Sequence, residues 1–174
     1  GGFNKINFYK KNLFKLTKFS IQNNKMLKLN KNLLLLYTGQ KRTAQHVAKS
    51  YVKNLPKSKK PHIIRILGFV KEGEKIIKNG NPNDFGKLLN ESWLEKKALS
   101  SSVTNNSINE IYNSAIKNGA LGGKLLGAGG GGFFLFYVPH FKQKKFINYF
   151  KNFTTVPFKF TSEGSRIMFQ SLTN

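Results

Sequence analysis

The chain has 174 residues, 39% of them hydrophobic, enough for one globular domain with a real core or for two small ones. It has no cysteine, which excludes a disulfide framework and a thiolate metal site. Its formal net charge of +23 admits an anionic partner, but the cations are nearly all lysine and run the length of the chain.

Asparagine, isoleucine and phenylalanine are abundant as well, so A/T-rich coding is a second explanation of the charge. An arginine-rich helix or an RNP-type aromatic motif would favour nucleic acid, and neither is present. The runs "LLLLY" and "FFLFYV" are strand-sized, and none approaches a membrane span. No secretory pattern is seen, so a cytoplasmic protein is expected. The chain begins with Gly1 and reads as a fragment or a processed product.

In chain order, "FNKINFYKKN" and "LFKLTKFSI" alternate apolar and polar residues and predict two strands, paired as a hairpin. "NLLLLYTG" predicts a buried strand ending at Gly39. "TAQHVAKSYVKNL" predicts a helix capped by Thr43, with Ala44, Val47, Ala48, Tyr51 and Leu55 on one face. A second helical pattern runs from about His62 to Lys78. In a third, Asn81 is a cap, Pro82 suits the first turn, and Asp84 favours the positive helix end.

"SINEIYNSAIKNG" predicts a helix with Ser107 and Glu110 as a capping box and Gly119 closing it. Ile108, Ile111, Tyr112, Ala115 and Ile116 form its stripe. After a glycine-rich stretch come the strand "FFLFYV", a helix near Phe141–Phe153, and two strands, "VPFKF" and "SRIMF". The pattern is α+β, with strands and helices packed as two layers.

The stretch "GALGGKLLGAGGGGFFLFYVP" raises its own question, because glycine inside regular structure costs roughly 0.5–1 kcal/mol against alanine. Gly127, Gly129 and Gly132 match G-x-G-x-x-G. A dinucleotide site should open a helix there, whereas the next residues read as a strand. The glycine loop of protein kinases also fails, since V-A-I-K, H-R-D and D-F-G are missing and Asp84 is the one aspartate. What remains is a loop whose backbone N–H groups can curve round an anion, or which another segment can approach closely. One or two glycines suffice for a turn. Four in succession, Gly129–Gly132, argue for a binding or packing surface.

This stretch resembles the C-terminal motif of the GHMP small-molecule kinases. "GGFN", "LLLLYTG", Arg42, "ESWLEKKALSSSVTN" and "EGSRIMF" are similar to the branch that phosphorylates D-glycero-D-manno-heptose 7-phosphate. The resemblance covers nearly the whole chain. It implies a ferredoxin-like two-layer sandwich over 41–174, preceded by hairpin strands and a lead-in at 1–40 left from an N-terminal domain. It also implies ATP-dependent transfer of the γ-phosphate to a sugar-phosphate hydroxyl, with Mg2+. In that family the phosphate motif P-x-x-x-G-L-G-S-S and a catalytic aspartate precede the "GGFN" segment. This chain has neither, and with seven acidic residues it offers no carboxylate cluster for the metal and no obvious base. The resemblance therefore assigns no catalytic residue and no metal ligand to this chain. The missing half should leave an apolar surface bare, which favours self-association.

Within this frame, Gly127, Ala128, Gly129, Gly130, Gly131 and Gly132 are the expected loop at the ATP phosphates. At about 100° per residue, Phe85, Leu88, Leu89 and Leu99 share a helical face with Ser92 and Lys96 near its centre. A lysine there either reaches an anion or snorkels past the helix end. A sugar phosphate beside the helix makes Ser92 and Lys96 candidate substrate residues. Trp93, at the edge of the face, is expected in the core. Lys124 is a third candidate, with a solvated strand lysine as the alternative. Arg42, at a predicted helix start, is the fourth, where backbone N–H groups and a guanidinium together suit phosphate. His46, His62 and His140 show no metal-ligand spacing and are given no catalytic role.

Two other classes fit some of these features: a basic single-strand or RNA-binding module, and a regulatory domain keeping only the sugar-phosphate pocket. Galactokinase-like, fucokinase-like and mevalonate-kinase-like substrates are alternatives within the kinase reading.

Overall fold

A computed structural model describes residues 1–41 and 57–169. The helix expected after Thr43 lies outside the described residues.

Strands β1 (Asn4–Phe8) and β2 (Phe14–Lys18) pair antiparallel as a two-stranded hairpin. The hairpin is amphipathic in sequence, yet Phe8, Leu13, Phe14 and Leu16 are exposed on it. Helix α1 (Asn23–Lys31) follows, an element the sequence reading did not include. Its one fully buried side chain is Leu29, so its apolar periodicity is short.

Strand β3 (Leu33–Tyr37) is the apolar run "LLLLY". Helices α2 (Lys60–Asn79) and α3 (Pro82–Leu99) form next, separated by Gly80 and Asn81. Asn81 caps α3 as expected, its side chain accepting from the Asn83 N–H at 3.0 Å. Helix α4 (Asn106–Lys117) buries Ile108, Ile111, Tyr112 and Ala115. Its cap is Asn105, whose Oδ1 accepts from the Ile108 N–H at 2.9 Å, not the expected Ser107. Asn105 holds the extended backbone that a cap requires, while Ser107 already lies inside the first turn.

Strands β4 (Gly122–Leu125) and β5 (Phe133–Tyr137) flank the glycine loop. Helix α5 (His140–Tyr149) and the short strand β6 (Thr155–Val156) complete the fold. Of "VPFKF" only Val156 is in a strand, and no strand forms over "SRIMF". Val156 pairs with Leu35, Phe158 and Phe160 pack half-buried against the core without joining the sheet, and residues 165–169 run exposed.

The main sheet is antiparallel in the order β4-β5-β3-β6. The chain runs strand, helices, strand, strand, helix, strand, which is the ferredoxin-like β-α-β-β-α-β order with extra helices in the first crossover. β3 lies inside this sheet, bonded to β5 on one side and β6 on the other. Among the described strands, only those of the hairpin stand in a separate sheet.

One core cluster joins Leu36, Phe134 and Phe136 from the sheet to Trp93, Ile108, Tyr112 and Phe146 from the helices. Trp93 is fully buried, edge-on to Phe134 with ring centroids 5.6 Å apart, so the expected packing role holds. A second cluster, with Leu29, Leu33 and Tyr137, lets α1 and the chain around Phe158 and Phe160 cover the rest of the sheet.

Candidate functional site

The glycine loop connects β4 to β5, two neighbouring antiparallel strands, as the aromatic run after it requires. It is wedged between two backbone segments. Gly130 N–H donates to the Val103 carbonyl at 2.8 Å, and Gly132 N–H donates to the Gln40 carbonyl at 2.9 Å. The Gly132 carbonyl in turn accepts from the Thr38 N–H and from Thr38 Oγ1, both at 2.9 Å.

This wedge answers much of the glycine question. A methyl group built on Gly129 would lie 2.7 Å from the Val103 carbonyl oxygen, and φ there is +125°. One built on Gly131 would lie 2.7 Å from the Gln40 carbonyl oxygen. Both contacts are inside van der Waals range, so only glycine lets the segments approach this closely. The sequence reading expected many exposed N–H groups here. The structure engages two of them in packing.

Val103 and Gln40 were not singled out from sequence. Asn105 links them to the fold, because its Nδ2 donates to Gln40 Oε1 at 2.9 Å while its Oδ1 caps α4. The signal lay in "SSSVTN" and "YTGQ", the two segments that touch the loop.

Helix α3 carries the candidate polar residues. Ser92 and Lys96 are buried on its apolar face, as the helical spacing predicts. They go to different places. Lys124, on β4, donates to Ser92 Oγ at 3.1 Å. Both line a cavity of about 340 Å³ between the hairpin, α2, α3 and β4, with Asn4, Lys5 and Phe69 also in its wall. Lys96 does not line that cavity. Its ammonium donates to the carbonyls of Leu125 and Gly127, at 3.2 and 2.5 Å, at the root of the glycine loop. Arg42 lies outside the described residues.

Burial pushes the Lys96 ammonium down to about 8, and the positive charge of Lys124 adds to the effect. Burial lowers Lys124 as well. These two cations lie close together, and no carboxylate contributes to either shift. The acidic residues are engaged elsewhere: Glu72 and Glu91 with Arg65, Glu74 with Lys5 and Lys78, Glu95 with His62. The pair is therefore a locus of positive charge in a partly dry setting, chemistry suited to an anion. His62 Nδ1 lies within hydrogen-bond distance of Glu95 Oε2, at 2.6 Å.

Among the described residues no group of three or more His, Asp or Glu side chains is placed to hold a metal ion. No helix there is long and apolar enough to cross a membrane.

A family model described as GHMP kinases C terminal matches residues 74–153. The chain carries a GHMP kinase C-terminal domain. The match spans α3, the lysine pair, the glycine loop and α5. The chain is 31% identical over 171 residues to the D-glycero-alpha-D-manno-heptose 7-phosphate kinase of Campylobacter jejuni, covering 94% of this chain and 49% of that protein. A crystal structure of a putative sugar kinase from Campylobacter jejuni is similar at a TM-score of 0.61 and 29% identity, over 94% of this chain and 47% of that one. The fold is shared with the L. major mevalonate kinase, at a TM-score of 0.70 and 18% identity over 87% of this chain and 45% of that one. The chain thus spans about half the length of these relatives.

Proposed function

We propose that this chain is the C-terminal part of an ATP-dependent sugar kinase acting on a sugar phosphate of the heptose 7-phosphate type. The observation that carries the reading is the 31% identity to a heptose 7-phosphate kinase along 94% of the chain. In the reaction, a hydroxyl oxygen of the sugar forms a bond to the γ-phosphorus of ATP. The bond from that phosphorus to the β,γ-bridging oxygen breaks, ADP leaves, and the hydroxyl proton passes to a base.

The residues of this chain divide between the two substrates. The loop Gly127–Gly132 borders the ATP phosphates, where its remaining backbone N–H groups face negative charge. Ser92 and Lys124 hold the anionic end of the acceptor in the cavity they line, and Lys124 supplies the charge. Arg42, by its place after "YTG", is a further phosphate ligand.

The described residues do not fit a Mg2+ ion, since their carboxylates are scattered and those around α3 are paired with cations. The metal's ligands and the base belong to the upstream half. That half also covers the exposed apolar side chains of the hairpin, such as Phe8 and Phe14. The domain boundary then falls near the start of α1, ahead of residue 41, because β3 belongs to the main sheet.

The test is product analysis. The protein expressed from its complete coding sequence is incubated with ATP and D-glycero-D-manno-heptose 7-phosphate, and the sugar is followed by phosphorus NMR. A second phosphoester on the sugar, formed in step with ADP, is expected. A sugar that keeps one phosphate while mevalonate or an unphosphorylated hexose is consumed contradicts the reading.

A further inference from the structure

Lys96 is a costly side chain to bury on α3. It sits on the apolar face at 9% exposure, where a methionine would fill the same volume with no charge to desolvate. Among the described residues its ammonium meets no carboxylate. It meets two backbone carbonyls on either side of Leu126.

Those two bonds fix more than the carbonyls. In a planar trans peptide, the C=O of one residue and the N–H of the next point in opposite directions. With the Leu125 carbonyl turned to Lys96, the Leu126 N–H must point away, and it does so, donating to the Phe133 carbonyl at 2.8 Å. By the same geometry, the Gly127 carbonyl on Lys96 turns the Ala128 N–H away from the helix. That N–H has no hydrogen-bond partner among the described residues. Gly127 has φ +69°, and glycine populates positive and negative φ about equally, so an external anchor is what selects one orientation.

We propose that Lys96 is a positioning residue for the nucleotide side of the site, a clamp that holds the root of the glycine loop so that the Ala128 N–H is presented to an anion. It does not touch the acceptor sugar. The proposal rests on the kinase reading for what the anion is, the ATP phosphates, but the clamp itself is a property of this fold. The acceptor side is left to Ser92 and Lys124, which share a cavity that Lys96 does not enter.

The experiment uses the protein expressed from its complete coding sequence. Lys96→Met and Lys96→Arg are compared with the unaltered protein for ATP affinity, acceptor affinity and hydrogen exchange of the amides from Leu126 to Gly132. Lys96→Met should weaken ATP binding about tenfold, leave acceptor binding within about twofold, and speed exchange across the loop. Lys96→Arg, which keeps a cationic donor, should recover a large part of both. Weakened acceptor binding with unchanged ATP binding and unchanged loop exchange overturns the proposal. If Lys96→Met does not fold, the unaltered protein decides. Its Lys96 ammonium protons should exchange slowly and show NMR couplings across hydrogen bonds to the carbonyl carbons of Leu125 and Gly127, and a freely exchanging ammonium refutes the clamp. If no ATP binds to the unaltered protein, the kinase reading fails, while the exchange and coupling data still decide whether the clamp exists.

Discussion

Lys124 reaches from strand β4 to helix α3 and donates to Ser92 Oγ at 3.1 Å, inside a cavity walled by apolar side chains. A lysine so placed has one hydroxyl for company and a second lysine nearby. An anion entering the cavity would meet Lys124, while Glu74, the carboxylate in the wall, is already paired with Lys5 and Lys78. Lys124→Met should therefore raise the Michaelis constant for the phosphorylated sugar by about 10- to 100-fold, in line with about 1.5–3 kcal/mol for a charged hydrogen bond. The Michaelis constant for ATP should change little. Steady-state kinetics with each substrate varied in turn reads both, and an unchanged sugar constant removes Lys124 from the acceptor site.

The tight approach of the glycine loop to Val103 and Gln40 predicts a graded response to alanine. Gly131→Ala meets the Gln40 carbonyl oxygen at 2.7 Å from an ordinary backbone conformation. Gly129→Ala meets Val103 at the same distance and adds a φ of +125°. Both should lower stability by about 1–3 kcal/mol, with Gly129→Ala the worse, and both should depress turnover by displacing the loop. Thermal melts and kinetics check this. A Gly129→Ala protein of unaltered stability contradicts the packing account of the glycines.

The lysine pair predicts a pH dependence. Lys96 titrates near 8 in the fold against 10.5 in the unfolded chain. Between those values the unfolded state binds more protons, so stability rises with pH through this window. The contribution is complete above about 10.5 and is lost as pH falls through about 8. Lys124 shifts in the same direction and is the charged group that acts on Lys96. The difference in Tm between the unaltered protein and Lys96→Met should therefore move in favour of the former as pH rises from 8 to 10. Parallel profiles contradict it.

The sequence carried the elements whose cause is local. Asn81 and Pro82 mark the start of α3, and Gly119 ends α4 with φ +105°, because caps and terminal glycines act on their own few residues. The run Phe133–Tyr137 made the glycine loop a strand connection. Helix α1 was missed, since its short sequence gives one buried apolar side chain and no capping bond. Ser107 reads as the cap because it heads a capping-box pattern with Glu110, but the backbone is extended at Asn105, which takes the cap and also bonds to Gln40. Ser92 and Lys96 were both visible as polar residues on an apolar face. Their separation, one to the cavity and one to the loop carbonyls, depends on where β4 lies against α3, which spacing along a helix does not encode. The same holds for Val103 and Gln40, distant in sequence and joined only across the loop.

On the function proposed above, this chain supplies one half of a sugar-phosphate kinase, with its lysine pair and glycine loop at the substrates and its metal ligands and base elsewhere. The most direct measurement is ATP-dependent turnover of D-glycero-D-manno-heptose 7-phosphate by residues 1–174 alone and by the protein from its complete coding sequence. The account predicts turnover by the complete protein and none by the 174-residue chain, whose carboxylates form no metal-binding group among the described residues. Comparable turnover by both, or none by either, would contradict it.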